Sequence, residues 1–322
     1  MIDSKELQHK WLTKIKTLNS TLWNDRAKFP VIQRWLNNFQ GAVFEREVEQ
    51  MHALHLLQQF MVFGEVEIHE LLKVIYRDLF RYPLIQEIRN NLGSNFTAIE
   101  IGSRYNNALL NTRFLGLGRA GESGQHLIYT FRQFNNLPLD LVSDANSLFT
   151  FSNGKDELAA PMLSHVVFID DISGSGTQAK DRLTPVISRI KALRPECKIY
   201  YFPLFATTQA IEVLKGTPGL DVIKPAMELD PAYSCYHDKS IYFRDVNDDG
   251  QTMTASKAVM QAYGESICRG NGLGFGECQL LLSFHHNTPD NTLPVFWFNE
   301  QPAAWSPIFP RHPKTAINPA IL

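Results

Sequence analysis

The stretch from Val166 to Thr177 constrains the fold of this chain more than any other. Four apolar residues, Val166 to Ile169, are followed at once by Asp170 and Asp171. An uninterrupted β-branched and aromatic run is typical of a central strand in a parallel sheet, covered on both faces. If the strand ends at Ile169, it delivers both acids to the carboxyl edge of the sheet, where open α/β folds bind ligands.

A turn of small residues follows the acids and predicts a phosphate cradle. Its members are two glycines and three hydroxyl side chains: Ser173, Gly174, Ser175, Gly176 and Thr177. Glycines let backbone N–H groups converge on an anion, and a following helix adds the positive end of its dipole. Beside two acids, such a cradle indicates a phosphorylated sugar, with the acids taking hydroxyl groups or Mg²⁺. The alternative is a solvated acid pair next to an ordinary loop.

Composition excludes several classes of protein. The chain has 322 residues, of which 44% are hydrophobic, enough for a sizeable core in two domains or one elaborated domain. A net charge of −2 argues against strong autonomous binding of nucleic acid. No apolar run is long enough to span a membrane, so no membrane partner is expected. Cysteines without a CxxC pair predict reduced thiols in a cytoplasmic protein.

Three regions differ in texture. Residues 1–92 are poor in glycine and carry helically spaced apolar residues, so we predict a helical N-terminal region. In residues 93–230, short apolar runs such as 139–142 alternate with helical patterns, which predicts an α/β core with a parallel sheet. A polar loop is expected over residues 144–163. Residues 231–322 predict a C-terminal α+β extension, whose proline-containing tail should lie extended across the surface.

With its acid pair and the loop ending in Gly176-Thr177, the core resembles the type I phosphoribosyltransferases. The resemblance implies that Asp170 and Asp171 hold the ribose hydroxyls of phosphoribosyl pyrophosphate (PRPP), with Mg²⁺, and that residues 173–177 bind its 5′-phosphate. It assigns pyrophosphate to a loop after the first core strand, which contains Gly118, Arg119, Ala120 and Gly121. It also makes residues 144–163, with Lys155, a mobile loop that closes over the reacting centre.

A second interpretation of the first loop stays open. The spacing of Gly116, Gly118 and Gly121 also fits the dinucleotide-binding fingerprint, and Asp140 lies at about the distance of the acid that binds the ribose. A lone match of this kind is weak, and the stronger phosphate loop downstream favours pyrophosphate at 118–124.

The segments on either side of the core indicate a particular group of phosphoribosyltransferase-like proteins. A helical N-terminal region, this core and the late stretch 287–297 are similar to the phosphoribosyltransferase-like effectors of bacterial conflict systems, including those that accompany some retrons. That resemblance implies a toxic antiphage effector, held by a reverse transcriptase with its DNA–RNA product and a helix-turn-helix protein.

The expected activity is transfer of the phosphoribosyl group to an acceptor that the sequence does not name. The C-terminal extension should contribute the acceptor pocket, where aromatic side chains could stack on a base or simply belong to the core: Tyr233, Phe243, Phe284 and Trp297. Two other functions remain open. One is a non-catalytic sensor of PRPP or a nucleotide, and the other is a nucleoside or nucleotide glycosidase that uses water as acceptor.

Overall fold

A computed structural model shows the protein as two compact units, Met1–Val66 with Asp230–Leu322, and Glu67–Leu229. The structure describes residues 4–93, 96–118, 123–152, 154–244, 251–299 and 305–311. This division differs from the three regions expected from the sequence, because the outer segments of the chain join in one unit. None of the helices within the described ranges is long and apolar enough to cross a membrane.

The first unit combines four helices with a two-stranded parallel sheet. The helices are α1 (Ser4–Thr21), α2 (Phe29–Leu36), α3 (Arg46–Leu57) and α10 (Gln251–Ile267). Strand β1 (Met61–Phe63) pairs in parallel with β10 (Leu282–Phe284). The Trp35 indole also donates to the Val295 carbonyl at 2.8 Å, so the two ends of the chain share one core.

The late part of the chain lies inside this core. Trp305, Ile308 and Phe309 are almost completely buried, and the Phe309 ring stacks on Phe60 at 4.5 Å between centroids. The expectation that the tail crosses the surface is therefore wrong for residues 305–311, because its aromatic side chains bury more apolar area inside. Trp297 is also buried and donates to the Thr292 carbonyl at 2.7 Å, which is a core role.

Helices precede the sheet of the second unit. Helix α4 (Glu65–Val74) continues through a π-helical segment (Ile75–Arg81) into α5 (Tyr82–Leu92), and α6 (Ala98–Leu110) follows. Thr97 begins α6 with a capping box, since its hydroxyl accepts from the Glu100 N–H and the Glu100 carboxylate accepts from the Thr97 N–H.

The sheet is parallel throughout, which confirms the predicted α/β class. Its strands run in the order β3-β2-β6-β7-β8, with β9 also paired to β7. They are β2 (Thr112–Gly116), β3 (Val142–Ser143), β6 (His165–Ser173), β7 (Lys198–Thr207), β8 (Val222–Ile223) and β9 (Met227–Leu229). Val166 to Ile169 are at most 1% exposed, as expected for a strand covered on both faces.

Helices cover both faces of the sheet. Helix α8 (Thr177–Leu193) packs Leu183 and Ile187 with Val166 and Phe168. It continues across Pro185 as one helix. On the opposite face, helix α7 (Ser123–Phe134) places Phe131 against Phe114, with ring centroids 5.2 Å apart.

The strand order creates a switch point between β2 and β6. From β2 the chain passes through α7 to β3 on one side, and then returns to β6 on the other side. In open parallel sheets, a crevice forms at the carboxyl ends of the two strands where the order reverses. The acid pair lies near the carboxyl end of β6, and the glycine loop follows β2. These two strands border the switch point.

Two local predictions differ from the structure. Residues 139–142 form a 3₁₀ turn (Leu139–Leu141) before the short strand β3, because the chain turns after Pro138. The expected polar loop at 144–163 contains an antiparallel hairpin of β4 (Phe149–Ser152) and β5 (Lys155–Leu158). Its apolar side chains Leu148 and Leu163 pack on the core, which a loop of solvated residues would not do.

Candidate functional site

Strand β6 is longer than the sequence predicts. It continues through Asp170 and Asp171 to Ser173, paired with β7 up to Ala206, so the expected end at Ile169 is wrong. The neighbouring strand β2, however, pairs only as far as Gly116 opposite Ile169. The acids therefore lie beyond the end of β2 while β7 still supports them, which places them at the carboxyl edge of the sheet on that side.

The two carboxyl groups accept hydrogen bonds from neighbouring groups. Asp170 Oδ1 accepts from the Asp171 N–H at 3.0 Å, and Asp170 Oδ2 accepts from the Tyr201 hydroxyl at 3.2 Å. Asp171 Oδ1 accepts from the Ile172 N–H at 2.8 Å. Both acids are half-buried, whereas Tyr201 is fully buried. These contacts orient the pair without closing it off from a ligand.

Burial raises the pKa of the Asp170 carboxyl well above its ordinary range, and the negative charge of Asp171 raises it further. Desolvation and the nearby Asp170 also raise the pKa of Tyr201, so its hydroxyl stays protonated and donates. A pair of carboxyl groups that retains a proton can both donate and accept hydrogen bonds. That combination suits two adjacent hydroxyl groups of a sugar, each of which also donates and accepts.

The raised pKa makes a prediction about stability. The folded chain holds a proton on Asp170 where the unfolded chain has lost it, so this stabilisation is complete below about pH 4 and declines as the pH rises towards the folded pKa. Asp170→Asn removes the titration and is expected to raise the free energy of unfolding at neutral pH by about 1 kcal/mol. Urea unfolding at several pH values measures it. The exposed Asp140→Asn is the control, and an equal fall with pH in both variants contradicts the assignment.

Gly176 fixes the shape of the loop that follows the acids. Its φ of +79° lies in the left-handed region, and a Cβ atom there would approach the Ala210 carbonyl oxygen to 2.9 Å. Glycine is therefore required at this position both for backbone conformation and for space. The close approach sets residues 173–177 directly against helix α9 (Thr208–Lys215).

Thr207 connects this loop to α9. Its hydroxyl donates to the Gly174 carbonyl oxygen and accepts from the Ala210 N–H at 3.0 Å, which caps the helix. Thr207 was not predicted from the sequence as a site residue, although a threonine at the end of an apolar run and before a helical pattern is an N-cap signal. One side chain thus stabilises α9 and positions the backbone of the loop.

We expect Thr207→Val to lower the free energy of unfolding by about 1 kcal/mol, because the cap is lost. It should also weaken PRPP binding several-fold, since the Gly174 carbonyl is no longer held. Thr208→Val is the matched control, because the Thr208 hydroxyl bonds only Glu228 at the surface. Urea unfolding and PRPP titration provide the two measurements. Equal effects of the two variants contradict the role given to Thr207.

The first turn of α8 offers backbone N–H groups to an anion. The N-cap residue is Gly176, and no side chain in the described part of the chain caps it with a well-formed hydrogen bond. The Thr177 N–H is 3.4 Å from Ser175 Oγ, a long contact that a ligand can replace. The Ser175 and Thr177 side chains are half-buried and exposed, respectively, and the Ser173 hydroxyl is buried beneath. The predicted 5′-phosphate residues thus share one concave turn.

The loop after β2 begins at the same edge of the sheet. Gly116 and Gly124 let the loop return tightly, because a Cβ on either residue would collide with the backbone of the other segment. The Gln125 amide donates to the Gly116 carbonyl at 3.0 Å. Gly118 has a φ of +135°, while Arg119, Ala120 and Gly121 lie outside the described residues. The structure thus places Gly118 beside the end of β2, across the switch point from the acids.

Asp140 is not positioned to bind the ribose of a dinucleotide. Asp140 lies in the turn that precedes β3, and β3 runs parallel to β2. Asp140 is therefore at the amino end of the strand, at the sheet edge opposite to Gly118. A ribose of a dinucleotide bound at the glycine loop needs an acid at the carboxyl end. The geometry favours the pyrophosphate interpretation of this loop.

The hairpin β4–β5 is docked away from the phosphate loop. Asp156 forms an ion pair with Arg189, whose guanidinium lies 3.8 Å above the Phe149 ring. Arg189 is twelve residues after the start of α8, roughly 18 Å along the helix axis. Lys155, the residue before Asp156, belongs to the same docked hairpin. A closing motion over the site remains a prediction, and it requires the hairpin to leave Arg189.

Comparison with known proteins bears on the whole arrangement. A family model described as PRTase-CE matches residues 32–311, which is most of the chain and includes the acids and both loops. The chain belongs to the PRTase-CE family. Membership in PRTase-CE confirms the predicted phosphoribosyltransferase-like family and its parallel α/β core.

Other comparisons add little to the PRTase-CE assignment. No curated protein matches the chain. A solved structure, a hypothetical protein from Neisseria gonorrhoeae with bound ppGpp, aligns at 12% identity over 62% of this chain and 97% of its own. The TM-score is 0.26, so that alignment carries no argument about the function of this PRTase-CE chain.

Proposed function

We propose that this chain transfers the phosphoribosyl group of PRPP to an acceptor, with Mg²⁺. The observation that carries the proposal is the arrangement at the switch point. The acid pair of β6 leads directly into a glycine-containing turn at the start of α8, and the loop of Gly118 begins at the same edge of the sheet. These elements offer one site for a sugar between two sites for phosphate groups.

Each half of the site is proposed to take one end of the ligand. The 5′-phosphate binds the N–H groups and hydroxyls of residues 173–177, where the dipole of α8 favours an anion. The ribose hydroxyls bind the carboxyl groups of Asp170 and Asp171. The pyrophosphate binds the loop that contains Gly118, Arg119, Ala120 and Gly121. Binding energy from the unreactive 5′-phosphate then holds the sugar in position.

The carboxyl groups suit a magnesium ion bound together with the substrate. The described residues contain no group of three or more histidine, cysteine or acidic side chains able to hold a metal by themselves. Mg²⁺ commonly uses one or two carboxylates and completes its shell with water and phosphate oxygens. Asp171 and Asp170 provide that number. When bound, Mg²⁺ neutralises charge on the pyrophosphate oxygens.

In the proposed reaction, the bond from the sugar C1 to the pyrophosphate oxygen breaks and the acceptor forms the new bond to C1. The electron pair of the broken bond leaves with pyrophosphate. The carboxyl groups of residues 170 and 171 stabilise positive charge that develops on the sugar, and residues 173–177 keep the sugar from moving.

A pyrophosphate-release assay tests this function. The chain is incubated with PRPP, Mg²⁺ and a panel of bases, nucleosides and nucleic acids as acceptors, and we expect release that depends on one acceptor. Binding of PRPP without release indicates a sensor. Release of a free base from a nucleoside or nucleotide, with water as acceptor and without PRPP, indicates a glycosidase. Either outcome contradicts the proposed transfer.

We further propose an effector role in antiphage defence, cytoplasmic and restrained by a reverse transcriptase with its DNA–RNA product and a helix-turn-helix protein. The support is the resemblance to effectors of conflict systems. Expression of the chain alone in bacteria is expected to stop growth. Expression of the variant with Asp170→Asn and Asp171→Asn is expected to leave growth unchanged. If bacteria that express the intact chain grow normally, this role is contradicted.

A further inference from the structure

The first unit contains a cavity of about 1070 Å³ that the proposed transfer does not use. Helices α1 and α3 and the turn at Ile241–Phe243 contribute its walls. All of its lining residues belong to the first unit, whereas the acids and the phosphate loop belong to the second. Its size is in the upper range for cavities that bind small molecules, about 300–1,000 Å³.

The cavity carries a positive charge. Three lysines of α1, namely Lys5, Lys10 and Lys14, line it with a single carboxylate, that of Glu47. Burial lowers the pKa values of His52 and His55, so both imidazoles are neutral at physiological pH. Neither Lys10 nor Lys14 forms an ion pair with another residue in the parts of the chain that the structure describes. Both residues are exposed at the cavity wall, and neighbouring lysines without acidic partners favour an anionic ligand.

Gln58 provides an independent indication of a ligand. Its side chain is 8% exposed and lines the cavity, but its amide makes no hydrogen bond to any described residue. The adjacent Gln59 differs, since it donates to the Tyr242 carbonyl at 2.9 Å and to the His55 carbonyl at 3.1 Å. An amide at a cavity wall that makes no hydrogen bond to a described residue is available to bind a polar group of a ligand.

Trp11 adds an aromatic wall. Its indole lines the cavity and meets His55 edge-on, with ring centroids 5.3 Å apart. On the same helix, Lys14 lies three residues after Trp11 and four after Lys10, so these side chains can share one helix face along the cavity. An aromatic surface, an amide and two ammonium groups are the groups that recognise a base and a phosphate.

We infer that this cavity binds a nucleotide, separately from the transferase site. The phosphates contact Lys10 and Lys14, the base contacts Trp11, and the Gln58 amide hydrogen bonds the edge of the base. An extended acidic peptide fits less well, because it needs neither an aromatic wall nor a buried amide.

Calorimetric titration of the full chain with ATP, GTP, CTP and UTP tests the inference. We expect at least one to bind, and Lys10→Glu with Lys14→Glu to weaken that binding tenfold or more. Lys16→Glu is the matched control, because Lys16 is an exposed residue of the same helix outside the cavity lining, and less than a twofold change is expected. Urea unfolding of each variant verifies that it is folded.

Gln58→Leu provides a second test. It should weaken nucleotide binding several-fold and leave the urea midpoint of the unliganded chain nearly unchanged, because the amide makes no hydrogen bond to a described residue. A structural role for the amide predicts a lower midpoint instead.

Four results overturn the inference. They are absence of binding by all four nucleotides, equal binding by the double lysine variant, equal weakening by Lys16→Glu, and binding of tripolyphosphate or a poly-glutamate peptide as tightly as the best nucleotide. The last result identifies a general anion surface or a peptide site. None of these measurements uses PRPP, so failure here leaves the proposed transfer unaffected, and failure of the transfer leaves this site unaffected.

Discussion

Replacing both acids, Asp170→Asn with Asp171→Asn, is expected to reduce pyrophosphate release at least about a hundredfold while the chain stays folded. The variant keeps the size of both side chains but removes the negative charge of the carboxyl pair, carried mainly by Asp171, that stabilises the sugar as pyrophosphate leaves. It also removes the ligands proposed for Mg²⁺. Because the Asp170 carboxyl already favours its neutral form, the amide at that position should not destabilise the fold.

The control for that prediction removes the same charge elsewhere. Asp140→Asn with Asp238→Asn changes two exposed acids, one at the opposite edge of the sheet and one in the first unit, and release should remain within about twofold of the unmodified chain. Initial rates of pyrophosphate release and urea unfolding are measured for both double variants. Unchanged release in a folded chain that lacks Asp170 and Asp171 carboxylates contradicts the proposed mechanism.

Gly176→Ala is expected to lower the free energy of unfolding by about 3 kcal/mol and to abolish phosphate binding by the loop. Two effects add at this position. The left-handed backbone disfavours any Cβ, and the new methyl group would press on the Ala210 carbonyl oxygen at 2.9 Å. Relief of that contact requires the loop to move away from α9, which disrupts the turn that Thr207 holds.

Gly270 provides a matched control for this substitution. Its φ is also +79°, but no atom lies within 4 Å of a Cβ placed there. Gly270→Ala should therefore cost only the backbone term, about 1 kcal/mol. The difference between the two variants in urea unfolding measures the contact with α9. Equal losses of stability contradict the close packing of the phosphate loop.

The placement of the acids and the glycine turn at the end of a central strand was predictable because these residues are contiguous in sequence. Val166 to Ile169 identified a central strand, and the acids and the glycine turn follow without interruption. The longer course of β6 was not predictable, since pairing beyond Ile169 depends on β7, whose residues 203–206 come more than thirty positions later. Tyr201 is part of the site for the same reason, because its contact with Asp170 joins two strands.

One other difference between prediction and structure could have been recognised from a local sequence motif. In the sequence, the residues between Ser152 and Lys155 are Asn-Gly, a dipeptide typical of hairpin turns, but the polar character of residues 144–163 favoured a loop. No local sequence motif predicts the division of the chain into two units. It depends on three-residue strands at Met61–Phe63 and Leu282–Phe284 that pair across most of the chain.

The most direct test of the account is calorimetric titration of the chain with PRPP, in the presence and in the absence of Mg²⁺. We predict one site per chain, an affinity that falls when Mg²⁺ is removed, and a further loss of tenfold or more in the variant that carries Asp170→Asn and Asp171→Asn. Absence of binding by the intact chain, or equal affinity in that folded variant, contradicts a phosphoribosyl site at the end of β6.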